Sequence, residues 1–403
     1  MPRAFMVVID SVGIGGAPDA ALFYNGDEPD SGANTIGHIA AECAAGRAQE
    51  GRSGPLDVSV LDALGLGEAC RLATGDPVIG LNAQPMGAYA AATEVSPGKD
   101  TPTGHWELAG VPVPWDWHTF PDNDPCFPPE LVAKICELAG TDGILGNRHS
   151  SGTTIIEQEG ARHVQNGYPI CYTSADSVLQ IAAHEESFGL DRLLKLCQDL
   201  APYVHDMKVG RVIARPFIGT PEAGFTRTLN RHDYAIAPPA PTLCDWVSEA
   251  GRRVYAVGKI GDIFSMRGIY ENRKGADATL MQHLNDLVEE AEDGALVFAN
   301  FVEFDSLYGH RRDVSGYARH LEWFNAELSK LLPKLCADDL LLITADHGND
   351  PTWVGTDHTR ERVPVLIHGI GAKNLGLVAF PDVAASVASH LNIPSQGPGK
   401  TFL

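Results

Sequence analysis

At 403 residues the chain exceeds the usual size of one compact core, so two domains are expected. A composition of 44% apolar and 20% charged residues is that of an ordinary globular protein. The net charge of −22 argues against nucleic acid or anionic membrane as a partner; such a chain can hold phosphate only through local metals, Arg and Lys.

The chain opens on the apolar run Ala4 to Ile9, which ends in the carboxylate of Asp10 and reads as a central parallel strand. No apolar h-region follows a basic stretch there, so no secretory signal is expected, and no run is long enough to span a bilayer. Thr35 to Ala45 has helical spacing, and Gly87 to Thr93 reads as a strand leading into the loop Gly98-Lys-Asp-Thr-Pro-Thr-Gly-His105. Trp115 to about Pro128, rich in Pro and aromatics, reads as an exit linker. Beyond it, Pro129 to Gly140 and Leu190 to Val204 read as helices, and Tyr168 to Thr173 and Arg211 to Phe217 as strands. Ala235-Ile-Ala-Pro-Pro-Ala-Pro241 reads as a return linker. Strands are then expected at 253–258, 295–301, 340–344 and 363–368. They alternate with helices at 276–292, at 317–335 (Leu321, Phe324, Leu328, Leu332 and Leu335 on one face) and at 381–391.

The reading is an α/β protein with a mostly parallel sheet and helices on both faces. Residues 1–117 and 239–403 form the core, and 118–238 an inserted smaller α/β cap that closes over the site to exclude water. The eight cysteines contain no Cys-x-x-Cys pair, so neither a zinc ribbon nor a disulfide framework is expected, and a cytoplasmic location follows.

Three segments carry the chemistry. Asp305-Ser-Leu-Tyr-Gly-His310, Asp346-His347 and His358 bring two carboxylates and three imidazoles to strand exits, and Asp10 adds a third carboxylate. Function in such sheets sits at the carboxyl ends of the strands. The set has enough O and N ligands for two metal ions, with Mn²⁺ or Zn²⁺ suiting the mixture better than Ca²⁺. That points to two-metal phosphate chemistry. The loop Lys99-Asp-Thr101-Pro-Thr103-Gly offers a hydroxyl before a helix, which beside metals becomes a nucleophile and otherwise is a turn. In Gly13-Ile-Gly15 the dinucleotide fingerprint fails at Pro18, so these glycines are expected to bend the loop that frees Asp10. Arg211, Arg215, Arg227, Arg231 and Lys259 form a basic group suited to phosphate oxygens or to solvated ion pairs.

Along nearly its whole length the chain resembles the bacterial phosphopentomutases of the alkaline phosphatase superfamily. The resemblance is carried by Asp10-Ser-Val-Gly-Ile-Gly, Thr103-Gly-His-Trp-Glu107, Tyr172-Thr-Ser-Ala-Asp-Ser-Val178, Gly210-Arg-Val-Ile-Ala-Arg-Pro-Phe217, Arg231-His-Asp-Tyr234 and the three metal segments. It implies an alkaline-phosphatase-like core. It implies one Mn²⁺ on Asp305, His310 and His358 and a second on Asp10, Asp346 and His347, with Thr101 as the phosphoryl carrier ahead of Thr103. Ser174, Asp176, Val178, Arg211, Ile213, Arg227 and Lys259 match positions that hold the sugar phosphate. The implied reaction interconverts α-D-ribose 1-phosphate and D-ribose 5-phosphate, and the deoxyribose pair, primed by glucose 1,6-bisphosphate. The partners expected are small phosphorylated sugars, with no nucleic acid or membrane; the oligomeric state stays open, with a monomer allowed. The rival readings are a phosphatase or phosphodiesterase on the same metal core, a phosphoglycerate mutase, and a non-catalytic sugar-phosphate binder.

Overall fold

The computed structural model describes residues 1–174 and 177–403. They form two compact units: 1–114 with 238–403, and 115–237.

The larger unit is built on an eight-stranded sheet in the order Glu271–Arg273, Val254–Val257, Leu296–Phe301, Ala4–Ile9, Leu340–Thr344, Val363–His368, Ala88–Thr93, Lys373–Ala379. Only Val363–His368 runs against the others. Every residue of Ala4–Ile9, Leu296–Phe301 and Leu340–Thr344 is buried, as continuous apolar runs in central parallel strands require. Helices cover both faces. Along Leu296–Phe301, Phe298 and Phe301 point to opposite sides. Phe298 packs on Phe264 and His105, whereas Phe301 packs on Phe324 of the helix Val314–Leu331.

The register brings the strand ends level. Ile9 lies opposite Phe301, and Val8 opposite Thr344. Asp10, Asp305 and Asp346 therefore leave the sheet along one edge. At the far end the buried Arg3 guanidinium locks the first strand in place through Asp339 (2.9 and 2.6 Å) and the Val288 carbonyl (2.9 Å).

Two expectations change here. The helix expected over 317–335 runs Val314–Leu331, capped by Asp313, and gives way to a 3₁₀ turn at Leu332–Lys334. Pro333 lacks the N–H that would continue it, so Leu331 rather than Leu332 and Leu335 completes the buried face. The tight turn after Asp10 is made by Ser11, at φ +69, and not by the glycines alone. Gly13 is needed for another reason: a Cβ there would run into the side chain of Glu361.

The smaller unit has a mixed sheet ordered His232–Ala235, Arg211–Thr220, Val178–His184, Ile170–Thr173, Leu145–His149, with Gly224–Arg227 hairpinned onto the end of Arg211–Thr220. Alternation along Val178–His184 sends Leu179, Ile181 and Ala183 to one core with Leu131, Leu193 and Leu200 of the helices Pro129–Ala139 and Leu190–Asp206. Ala182 faces the other core, with Ile155 of the helix Gly152–Asn166 and with Tyr172 and Phe217. The segment read as an exit linker belongs to this unit: Phe120, Cys126 and Phe127 are buried in the first core, with Phe120 and Phe127 edge to face at 4.8 Å. Its aromatics have more apolar surface to bury than a solvated linker leaves them.

Candidate metal centre

The three strand-end segments converge. Asp10, Asp346 and His347 present ligand atoms within 4.8 Å of one another, and so do Asp305, His347 and His358. His347 Nε2 lies 3.5 Å from Asp10 Oδ1 and 3.2 Å from Asp346 Oδ2; His358 Nε2 lies 3.5 Å from Asp305 Oδ1. His310 joins through Nε2, 3.1 Å from Asp305 Oδ2. His347 thus stands between the two groups, its ring 4.0 Å from that of His358.

Three carboxylates this deeply buried cannot all carry charge without compensation. Burial, then the charges of Asp346 and Asp305, push the Asp10 carboxyl well above its usual range. Burial acts on Asp305 in the same sense, but the imidazoles of His358, His310 and His347 outweigh it and hold that carboxyl well below its usual range. Burial would lower His347; Asp346, Asp10 and Asp305 instead raise it well above the ordinary imidazole value. Asp10 Oδ1, Asp346 Oδ2 and His358 Nε2 are buried with no hydrogen-bond partner among the described residues. Unpaired ligand atoms amid excess negative charge fit divalent cations with O and N preference. A third group, Asp277, Glu303 and His320, differs. Asp277 already accepts from Val302 N (3.2 Å), Glu303 N (3.2 Å) and His320 Nε2 (2.8 Å), so it braces the turn before Asp305.

Thr101 begins the helix Thr101–Leu108, and its Oγ1 lies 3.3 Å from His347 Nε2. Thr103 is turned away: its hydroxyl donates to Asp100 Oδ2 (2.6 Å), and Asp100 Oδ1 caps the helix by accepting from Thr103 N (3.0 Å). The helix sits hard against the metal segment at Gly104, where a Cβ would lie 2.8 Å from the Asp346 carbonyl carbon and closer still to its oxygen.

Several supporting residues escaped sequence reasoning. Asn300 Nδ2 donates to Asp10 Oδ2 (3.0 Å), Asn349 Nδ2 to Asp305 Oδ1 (2.7 Å), and Ser11 N to Asp346 Oδ1 (3.1 Å). His105, fully buried, places Nδ1 3.1 Å from Asp346 Oδ2. A signal existed for Asn300, a lone amide inside the apolar run Leu296–Phe301. The buried Arg360 ties the loop before Thr101 to the segment bearing His358. It pairs with Glu94 Oε2 (2.5 Å) and Asp19 Oδ2 (2.9 Å) and also donates to the Gly98 carbonyl.

Lys259, exposed two residues past Val254–Val257, only partly opposes by its charge the rise that burial and the neighbouring carboxylates impose on Asp10. The other candidates for the sugar phosphate lie in the smaller unit. Val178 pairs in register with Arg211, and Ile213 lies two residues further along the same strand; Ser174 follows Ile170–Thr173. Asp176 lies outside the described residues. Arg227 joins Arg215, Arg231, Thr153 and Phe225 around a cavity of ≈ 540 Å³. The buried Tyr172 hydroxyl, without a partner among the described residues, lies in the field of the same three arginines, which oppose the rise that burial imposes on it.

A family model described as "Metalloenzyme superfamily" matches residues 2–395. The phosphopentomutase of Rhizobium meliloti (strain 1021) is 53% identical over 411 residues, covering 100% of both chains. That of Chelativorans sp. (strain BNC1) is 53% identical over 410 residues, covering 100% of this chain and 98% of its own. The chain belongs to the phosphopentomutase family. It is, with that family, a metal-dependent member of the metalloenzyme superfamily. Among solved structures, the PH0037 protein of Pyrococcus horikoshii aligns over 98% of each chain at 12% identity with a TM-score of 0.49. Among the described residues no helix is long and apolar enough to cross a membrane.

Proposed function

We propose that this chain interconverts α-D-ribose 1-phosphate and D-ribose 5-phosphate, and the 2-deoxyribose pair, with Thr101 as the phosphoryl carrier. Full-length identity to proteins named phosphopentomutase supports the substrate class. The observation that carries the residue assignment is Thr101 Oγ1 beside His347, at the one place where Asp10, Asp305 and Asp346 converge.

Asp305, His310 and His358 would hold one Mn²⁺, and Asp10, Asp346 and His347 the other. When bound, such a pair neutralises charge on the transferring phosphoryl oxygens. The chain's own residues do the rest. The Asp100 cap and the Gly104 contact keep Thr101 pointed at the cluster. From phosphorylated Thr101, the phosphoryl group passes to a free hydroxyl of the sugar phosphate. The bond from that hydroxyl oxygen to phosphorus forms as the bond to Oγ1 breaks, and the proton the hydroxyl loses is regained at Oγ1. The resulting bisphosphate returns its other phosphoryl group to Thr101 by the reverse exchange, so atoms and charge balance over the cycle.

The inserted unit is read as the substrate cap. In it Ser174, Asp176, Val178, Arg211, Ile213 and Arg227 are proposed sugar-phosphate contacts, with Lys259 of the core. The arginine-lined cavity has the chemistry for a phosphate that is not being transferred. Glucose 1,6-bisphosphate would prime the enzyme by phosphorylating Thr101, and the setting proposed is the cytoplasm.

A coupled assay of ribose 1-phosphate with Mn²⁺ and a trace of glucose 1,6-bisphosphate, tracking free phosphate, tests the reading. Isomerisation without phosphate release is expected. Release without isomerisation would make the chain a phosphatase on the same centre. Thr101→Ala should abolish transfer with metal content intact; retained activity would move the carrier elsewhere, to Thr103 first.

A further inference from the structure

Arg312 follows His310 by two residues and adopts a left-handed backbone, φ +55, that a non-glycine residue rarely takes. Its guanidinium is spent entirely on one neighbourhood. Nε donates to the Gly355 carbonyl (2.7 Å), Nη1 to Gly309 O (3.0 Å) and to Asn349 Oδ1, and Nη2 to Val354 O (3.2 Å) and Asp357 O (3.0 Å). Because Asn349 Oδ1 accepts from Arg312, the amide is oriented with Nδ2 towards Asp305 Oδ1, at 2.7 Å. The loop it gathers also supplies Thr356 O, which lies 2.6 Å from His310 Nδ1. A proton held on Nδ1 leaves Nε2 free as a ligand atom. The same loop ends at His358.

Arg312 therefore reaches all three residues of one ligand set: His310 through the loop carbonyls, Asp305 through Asn349, and His358 through its preceding residue. It donates to none of the groups that hold the other set. Asp10 is held by Asn300 and Asp346 by Ser11 N; Asn349 meets that side only through its backbone N–H, which donates to the Ser11 carbonyl (3.1 Å), a contact its side chain and Arg312 do not share.

We propose that Arg312, acting through Asn349, is the positioning residue of the Asp305–His310–His358 site and sets its cation affinity independently of the Asp10–Asp346–His347 site. This rests on the two-cation reading above. Five acceptors in a planar fan suit a guanidinium; an ammonium cannot span them, so lysine is no conservative replacement.

The test is Mn²⁺ titration of metal-stripped protein, followed by the electron paramagnetic resonance of free Mn²⁺. Wild type should bind two ions. Arg312→Lys should weaken one of the two by about 10–100-fold and leave the other unchanged, the usual effect of removing an outer support. Asn349→Leu should weaken the same site, which keeps the proposal testable should Arg312→Lys fold poorly. In an Asp10→Asn background, which leaves only the Asp305 site, Arg312→Lys should still weaken binding. In an Asp305→Asn background it should change nothing, and mutase activity of Arg312→Lys should recover at high Mn²⁺. Equal weakening of both sites, or of neither, overturns the proposal while leaving two cations in place. A wild-type protein that binds fewer than two ions overturns the two-cation reading and this proposal with it.

Discussion

Gly104→Ala isolates the contact that aims the proposed nucleophile. The added Cβ would sit 2.8 Å from the Asp346 carbonyl carbon, 3.0 Å from its Cβ, and nearer still to its oxygen. The two nearest are backbone atoms and the third is a Cβ, in a segment fixed by Ser11 N at Asp346 Oδ1, so no flexible side-chain end can yield. Restoring ordinary van der Waals separation takes a displacement of roughly 1 Å between the Thr101–Leu108 helix and the metal segment, the kind of misplacement that costs about 10²-fold in rate. Overpacking of this kind destabilises by about 1–3 kcal/mol. The expected result is a turnover number down about 10²-fold in the coupled mutase assay, with the Michaelis constant changed far less. The protein should stay folded, with a lower midpoint in urea. A variant with turnover within a few-fold of wild type and an unchanged midpoint would refute the reasoning. The helix would then not be braced on Asp346, and the Thr101 to His347 distance would not depend on it.

Arg360→Met should be severely destabilising. It strands Glu94, whose side chain is 2% exposed, as a buried acid without its partner, a loss of about 3–5 kcal/mol in urea unfolding; a loss under about 1 kcal/mol would mean the pair is already solvated. Chelation with EDTA should lower the melting temperature, and Mn²⁺ should restore it in a concentration-dependent way, because cations bind the folded carboxylate cluster far better than the unfolded chain; an unchanged melting curve would count against that cluster as a cation site. The smaller unit should show acid sensitivity through His163. Burial lowers its pKa, and its Nδ1 and Nε2 are committed to the Tyr168 carbonyl (2.6 Å) and the His184 N–H (2.9 Å). The unfolded chain takes the proton first, so this contribution is full above about pH 6.5, falls as the pH drops below it, and levels off under the folded pKa. Unfolding midpoints between about pH 7.5 and about pH 5 should fall more steeply for wild type than for His163→Asn, and parallel curves would remove His163 as the cause.

Much of the larger unit was legible in sequence because its central strands are buried on both faces. That burial demands unbroken apolar runs such as Leu340–Thr344 and Val363–His368, whose ends agree with the pattern. The smaller unit was harder to read. Leu145–His149 and Gly224–Arg227 carry mixed, half-exposed side chains with no apolar alternation to mark them; the first pairs with Ile170–Thr173 across an intervening helix and the second folds back as a hairpin on Phe217–Thr220. The aromatic segment around Phe120 reads as a linker until the core it fills is in view.

The candidate ligand residues could be picked out in the sequence, because metal chemistry restricts which side chains serve and strand ends restrict where they stand. Spacing did not group them; the grouping came only through the family resemblance. That His347 lies between both sets, that Thr101 and not Thr103 brings its hydroxyl to it, and that the side chains of Arg312 and Asn349 reach only the Asp305 side are outcomes of three-dimensional packing. Local sequence determines a residue's chemistry and its element. Which atoms it meets depends on the register Ile9 to Phe301 and Val8 to Thr344, which closes gaps of about three hundred residues and is set by the buried area of the whole sheet.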